Sequence, residues 1–265
     1  MSQVNLEAVV AATREVGDMA LARWRGEGKG VTVWHKSPDN PVSDVDLAVD
    51  ARLKAVLGAI APDAGWLSEE TADDPARLAC RAMWCVDPID GTRDFVRGRT
   101  GWAVSVALVV DGAPQLGVLY APARDELWIA RAGRGATRNG LDLAASQRPV
   151  FPGARVPADA LPRIDSDLVI VAKPNSIALR MAMVAADEAD LVATLRWGYE
   201  WDVAAAALIA AEAGARVSDA FGAPLVFNTP RAQAFGVVVS SAAIHGAVID
   251  RLAARAAEIA PRTRS

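Results

Sequence analysis

Between residues 83 and 130 the chain lays down four short β-rich runs in succession: "MWCV", "WAVSVALVV", "LGVLY" and "LWIA". Runs of Val, Leu, Ile and Trp this short favour strands. Asp111-Gly112, between the second and third, is a hairpin signal. Adjacent strands expose apolar faces that something else has to cover. Upstream, Leu6, Val9, Val10, Thr13, Val16, Ala20, Leu21 and Trp24 recur at helical spacing, predicting a helix over 3–25 that "RGEGKG" ends. Val49, Leu53, Val56, Leu57 and Ile60 mark a second helix, stopped by "APDAG". Downstream, "LVIVA", a helix over 176–189, "DLVATL", a helix over 201–214, "GVVVS" and a final helix from about 242 alternate. That alternation suggests a partly parallel sheet covered by helices. "AGRGATRNG" reads as a glycine-rich loop, and "PRTRS" as a frayed tail. "QRPVFPGARVPADALP" reads as a surface crossing between two subdomains, residues 1–145 and 146–265.

With 265 residues, 52% hydrophobic and 23% charged, the chain can bury a substantial core. A net charge of −4 with scattered arginines argues against binding a nucleic-acid polymer, though not against a small phosphorylated ligand. No run approaches the roughly 20 apolar residues of a membrane span, and the N-terminal helix has no signal-peptide core. Cys80 and Cys85 are too far apart for a CxxC motif, which fits reduced thiols and a cytoplasmic location. Oligomeric state, monomer or homodimer, is left open.

The chemistry concentrates in "MWCVDPIDGTRDF", residues 83–95. Taken alone, D-x-x-D-G is more often a turn than a site. Here Asp87 is expected to emerge at the C-terminal end of a buried strand, where open α/β sheets place ligands. Two carboxylates about 4 Å apart repel by around 4 kcal/mol at an effective dielectric near 20. Either one of them takes up a proton or a cation sits between them. Oxygen ligands select Mg²⁺, Mn²⁺ or Ca²⁺ over zinc, and neither His35 nor His245 is near in sequence. Further ligand candidates are Glu69 and Glu70 in "LSEET", otherwise a solvated acidic turn, and Asp202 in "EWDVAAAALIAAEAG", otherwise a first-turn helix charge.

"DPIDGTRDF" resembles the D-P-I-D-G-T-x-x-F motif of the inositol monophosphatase superfamily of Mg²⁺-dependent, lithium-sensitive phosphomonoesterases. "WDVAAAALIAAEAG" is similar to the family's second motif, W-D-x-A-A followed by E-A-G. Ser68-Glu69-Glu70 resembles its G-E-E segment, and "VSDVD" at 42–46 its V-T-x-x-D segment. The four occur in the family's order. The resemblance implies a mixed α/β fold, the layered αβαβα sandwich of the inositol monophosphatase and fructose-1,6-bisphosphatase type. It implies two to three Mg²⁺ ions, with Mn²⁺ able to substitute and Li⁺ inhibitory. Glu69, Asp87 and the Ile89 carbonyl would hold one ion, and Asp87, Asp90 and Asp202 a second. Asp46 and Thr92 would form the dyad that deprotonates the attacking water, although Asp46 alone reads as a helix cap. The amides of Gly91 and Thr92 would bind phosphate. Glu70 and Lys36 would stand behind the metal ligands.

The departures bear on the substrate. Inositol-specific members carry a glutamate before W-D that contacts sugar hydroxyls. "TLRWGYEWD" offers Leu195 or Arg196 there, depending on one gap. Arg180, Arg196 and Glu200 look closer to the bacterial branch that hydrolyses 3′(2′),5′-bisphosphate nucleotides, 3′-phosphoadenosine 5′-phosphate to AMP, whose second phosphate suits an arginine. That substrate is the expectation, with inositol 1-phosphate next and histidinol phosphate third. Arg180 and Arg196 alone also read as surface charges, and Lys36 as a loop lysine. A catalytically silent ligand-binding protein and a cation-binding structural protein are the rivals from other classes, and the intact acidic set speaks against both.

Overall fold

The computed structural model describes residues 4–24, 30–37 and 40–260. Helix α1 (Leu6–Arg23) is capped by Asn5, whose side chain accepts from the Glu7 and Ala8 amides. The hairpin β1 (Val33–Ser37) and β2 (Asn40–Ser43) leads into α2 (Asp44–Ile60). Strands β3 (Gly65–Ser68), β4 (Ala82–Asp90), β5 (Ala103–Val110), β6 (Ala113–Ala121), β7 (Glu126–Arg131), β8 (Ala136–Arg138) and β9 (Leu141–Asp142) form one sheet in that order, with the short helix α3 (Thr92–Val96) after β4. The chain continues through β10 (Arg155–Pro157), β11 (Val169–Val171), α4 (Ile177–Ala185), β12 (Leu191–Ala193), β13 (Trp197–Tyr199), α5 (Glu200–Glu212), β14 (Arg216–Ser218), β15 (Gln233–Phe235), β16 (Val238–Ser240) and α6 (His245–Ile259). The tail "PRTRS" and residues 25–29 of the expected helix stop lie outside the described residues. Among the described residues no helix is long and apolar enough to cross a membrane. Both cysteines are free.

Five layers follow from which faces are apolar. Val9, Ala12, Val16 and Ala20 of α1, with Val49, Leu53 and Leu57 of α2, cover one face of the large sheet through Trp84, Val86, Val104, Val106 and Val118. The opposite face, including Met83, Cys85, Ala107 and Leu119, meets α4 and α5. Helix α5 is apolar around its whole girth from Val203 to Ala210, so it is buried on every side. Its alanines let the sheet come close. A Cβ on Gly117 of β6 would lie 2.7 Å from the Ala205 carbonyl oxygen. Beyond α4 and α5 lies the small sheet β12-β16-β14, whose outer face packs Leu191 and Val238 on Val248 and Leu252 of α6.

Three expectations need correction. The strand at 83 does not end before Asp87. It runs buried through Asp90, pairing with β5 across a register break between Asp87 and Asp90, where Pro88 has no N–H to give the ladder. "AGRGATRNG" contains β8 between two glycine turns. Of the partly parallel arrangement expected downstream, "LVIVA" does supply a parallel pair, β11 with β10, but the sheet β12-β16-β14 pairs antiparallel throughout. Strands β12 and β14, joined through α5, do run the same way, but β16 returns between them. The hairpin expected at Asp111-Gly112 is present, with both residues at positive φ (50° and 78°).

Candidate metal and phosphate site

Three elements deliver acidic side chains to one cavity of about 570 Å³. Asp87 and Asp90 come from the end of β4, Glu69 follows β3, and Asp202 lies in the first turn of α5, while Asp46, in the first turn of α2, stands behind Thr92. Ligand oxygens of Glu69, Asp87 and Asp202 lie within 4.8 Å of one another. At that spacing each charged pair repels by about 3 kcal/mol. Burial first, then the charges of Glu69, Asp90 and Asp202, pushes the Asp87 carboxyl well above its usual value. Asp202 is raised by burial and by Asp90 and Glu69, against a hydrogen bond from the Tyr199 amide (3.3 Å). Burial lifts Glu69 to about 7, with Lys36 opposing. Three oxygen donors strained toward protonation, with no histidine or cysteine among them, are a donor set that fits a hard divalent cation.

Asp90 is placed differently. Its carboxylate accepts from Ser176 Oγ (2.5 Å) and from the Ala178 (2.7 Å) and Ile177 (3.3 Å) amides at the start of α4. It lines the cavity but does not join the three-carboxylate group, because the N-terminus of α4 competes for its oxygens. Burial still raises its value, against those hydrogen bonds. The Ile89 carbonyl accepts from Thr92 Oγ1 at 3.0 Å.

Thr92 Oγ1 also lies 3.2 Å from Asp46 Oδ1. Asp46 does two things at once. Its Oδ2 takes the Ser43 amide (2.8 Å) and hydroxyl in a capping box, and its Oδ1 faces Thr92. Burial lifts Asp46 to about 6 against the Ser43 hydrogen bonds. Gly91 stands at φ 98°, and a Cβ there would lie 2.6 Å from the Gly101 carbonyl oxygen, so only glycine fits this turn. Both Gly91 and Thr92 line the cavity.

Lys36 reaches from β1 to Glu70 (2.7 Å) and Glu69 (3.5 Å). Burial disfavours its cation, but those two partners more than compensate and hold it above its usual value. Glu70 is raised by burial against Lys36.

The same cavity also has cationic lining, from Arg180 and Arg196. Arg180 is anchored on carbonyls alone, Nε to Ser176 (3.2 Å) and a terminal nitrogen to Asn175 (3.1 Å). Burial lowers its value, and the like charge of Arg196 adds to that. Among the described residues neither arginine makes an ion pair. The gap before Trp201 resolves in favour of Arg196, which lines this cavity, while Leu195 turns to a neighbouring one. Glu200 does not reach the cavity. Its buried carboxylate accepts from the Asn228 amide (2.7 Å) and from the Thr229 amide and hydroxyl (2.9 and 2.6 Å), holding a loop. The expectation that it contacts substrate is therefore corrected.

Two features went unread in the sequence. Asp50, one helical turn after Asp46, accepts from Ser68 Oγ and Thr71 Oγ1 (both 2.5 Å) and so fixes the segment carrying Glu69. The i, i+4 spacing of two buried aspartates was the available signal. Tyr199 and Trp201, stacked at 4.3 Å and 7°, line the cavity beside Asp202, and the aromatic spacing in "WGYEWD" was the signal there.

The inositol monophosphatase family model matches residues 1–259. A Streptomyces griseus protein named glucose-1-phosphate thymidylyltransferase is 37% identical over 75% of this chain and 80% of its own. The 3′(2′),5′-bisphosphate nucleotidase CysQ of Shigella flexneri is 32% identical over 85% and 94%. Among solved structures, an IMPase of Thermotoga maritima superposes with a TM-score of 0.83 at 26% identity, covering 96% of this chain and 98% of that one. With the five-layer fold and the carboxylate cavity, these matches show that the chain belongs to the inositol monophosphatase family, a family of phosphatases acting on small phosphorylated substrates.

Proposed function

We propose that this protein is a Mg²⁺-dependent phosphomonoesterase that prefers a 3′(2′),5′-bisphosphate nucleotide. The observation carrying this reading is one cavity lined both by the carboxylate group and by two guanidinium groups that make no ion pair among the described residues. Glu69, Asp87 and Asp202 would hold the cation, and Asp90 adds its charge to the field they share. A divalent cation supplies Lewis acidity and neutralises charge on phosphoryl oxygens. The single Thr92 hydroxyl proton has two acceptors in reach, the Ile89 carbonyl and Asp46; turned to Asp46, it leaves the oxygen's lone pairs free to accept from a water. The proton leaving that water passes to Thr92 Oγ1 while the threonine proton passes to Asp46. Near neutral pH an Asp46 value of about 6 leaves the carboxylate in its basic form. Gly91 and Thr92 offer backbone N–H groups on the same wall for the reacting phosphate. Arg180 and Arg196 offer donors only, which suits a second phosphate rather than sugar hydroxyls that need acceptors as well.

The second reading, hydrolysis of inositol 1-phosphate, rests on the structural likeness to the Thermotoga IMPase. A comparison of kcat/KM for 3′-phosphoadenosine 5′-phosphate, inositol 1-phosphate and histidinol phosphate, with Mg²⁺ and with added Li⁺, decides between them. The bisphosphate is expected to lead, and Arg196→Ala to lower it selectively. Equal loss on all three would remove Arg196 from substrate selection. Thymidylyl transfer, named for the Streptomyces relative, is tested alongside with dTTP and glucose 1-phosphate. Turnover there without hydrolysis of any monoester would overturn the phosphatase reading.

A further inference from the structure

Tyr199 is 44% exposed although it stands at the rim of the catalytic cavity. One face of its ring is covered by Trp201, which is buried in the first turn of α5. The parallel stacking leaves the other face as the part open to a ligand. The backbone beneath is fixed as well, because Tyr199 pairs with Gln233 across the β13–β15 ladder. A ring held from behind and below loses little freedom when something stacks on it.

The surroundings select what that something is. Ile177, Arg196, Tyr199 and Asp202 line one small recess, with Arg180 close enough to Arg196 for their charges to interact. The arginines are donors without acceptor capacity, and Ile177 and the stacked rings present apolar surface. On this side a polyol's hydroxyls would find their acceptor chiefly in Asp202, which the cation would occupy. A planar base joined to a sugar bearing a second phosphate would match ring to ring and phosphate to guanidinium.

We propose that Tyr199 is a specificity-determining residue, the platform on which the planar aromatic base of the substrate stacks, an inference that rests on the phosphomonoesterase reading above. A second place for a base is the cavity of about 360 Å³ lined by Leu161, Leu168, Leu195 and Leu252 but also by Lys173, Arg251 and Arg255. Arg180 lines both cavities, and its anchored guanidinium stands between them. The Tyr199 ring needs no such barrier crossed.

The test compares 3′-phosphoadenosine 5′-phosphate, base-free ribose bisphosphate and inositol 1-phosphate as substrates in Mg²⁺. Base–aromatic stacking sets the expected size. Tyr199→Ala should lower kcat/KM for the nucleotide about 5- to 150-fold relative to the base-free ester. Tyr199→Phe and Tyr199→Trp should keep the preference, and the base-free ester reports folding in each preparation. Equal loss on the nucleotide and the base-free ester, no loss on either, or a loss on inositol 1-phosphate as large as on the nucleotide would overturn the platform while hydrolysis stands. A wild-type protein that hydrolyses none of the three would overturn the phosphatase reading itself. As a check independent of turnover, Tyr199→Ala should weaken adenosine 5′-phosphate binding by calorimetry and leave ribose 5-phosphate comparatively unaffected. Parallel weakening of both would count against stacking.

Discussion

Glu69 offers a quantitative test of the carboxylate group that needs no substrate. Its carboxyl stands at about 7, against an ordinary value of 4.5, because it is buried among Glu70, Asp46 and Asp90. A carboxyl raised on folding holds its proton more tightly in the native state. Between the two values the folded protein therefore binds more protons than the unfolded chain, and stability falls as pH rises. The contribution is fully present below about 4.5 and lost by about 7. A shift of this size corresponds to about 3 kcal/mol. With an unfolding entropy of about 2.1 cal/mol/K per residue over 265 residues, that is roughly 6 °C in Tm.

The assay is thermal unfolding in chelator from pH 5 to 7.5, wild type against Glu69→Gln. The difference between the two reports the Glu69 charge, through its own titration and through the Asp87 and Asp202 carboxyls it raises, because His245, held below its usual value by burial, is common to both proteins. Because part of the contribution is already lost at pH 5, wild type should lose about 4 °C more than the variant across this window. Adding Mg²⁺ should stabilise wild type more at pH 7.5 than at pH 5, since a cation competes with the protons for the same oxygens. Identical pH slopes in both proteins, or a Mg²⁺ effect independent of pH, would refute the claim that Glu69, Asp87 and Asp202 form a cation site.

Three further outcomes follow. Thr92→Ala should reduce kcat about 10²- to 10⁴-fold and leave the Mg²⁺-induced rise in Tm, while Thr92→Ser restores much of the rate; parallel loss of turnover and metal stabilisation would argue against the Asp46–Thr92 dyad. Gly117→Ala pushes a methyl against the Ala205 carbonyl at 2.7 Å and should cost about 1–3 kcal/mol in urea unfolding, and a wild-type midpoint would mean β6 and α5 are not in this contact. Glu200→Ala strands three buried donors of Asn228 and Thr229 and should cost several kcal/mol without changing the ratio of kcat/KM between substrates; a changed ratio would return Glu200 to the substrate site.

What was legible in the sequence divides along physical lines. Asp87, Asp90, Gly91 and Thr92 are neighbours in the chain, so their convergence at the end of β4 needed little long-range information. Glu69 and Asp202 could be named as acidic candidates from the residues, but their meeting with Asp87 came only through the resemblance, since nothing local says that the end of β3 and the start of α5 meet. The direction of Glu200 was within reach and was missed. Two residues apart on a helix are about 200° apart around its axis, so Glu200 and Asp202 cannot face the same cavity. Asp90 illustrates the converse: its competing partner, the start of α4, lies 86 residues away at Ser176 and has no counterpart in the motif itself.

The small C-terminal sheet shows why alternation of strands and helices underdetermined the pairing, and why the site is built as it is. A helix between two strands returns the chain in the same direction, which β12 and β14 obey, but it does not make them neighbours. With β16 between them, β12 and β14 flank a strand running the other way, and the inner side is shared, α5 lying on β14 and α4 on β12 and β16. Packed on the large sheet through Gly117 and on the small one through its other faces, α5 can hardly shift alone. Asp202 in its first turn is therefore held against Asp87, and Trp201 against Tyr199, by the same rigid element. Carboxylates for the reaction and the aromatic pair at the rim are thus fixed relative to each other, whereas Arg180 and Arg196 come from α4 and from the link between β12 and β13. Changes in substrate preference can accumulate at the arginines without disturbing the carboxylate group. A loss confined to one substrate should consequently trace to 180, 196 or the Tyr199 ring, and a loss common to all to Asp202 of α5 or to β4.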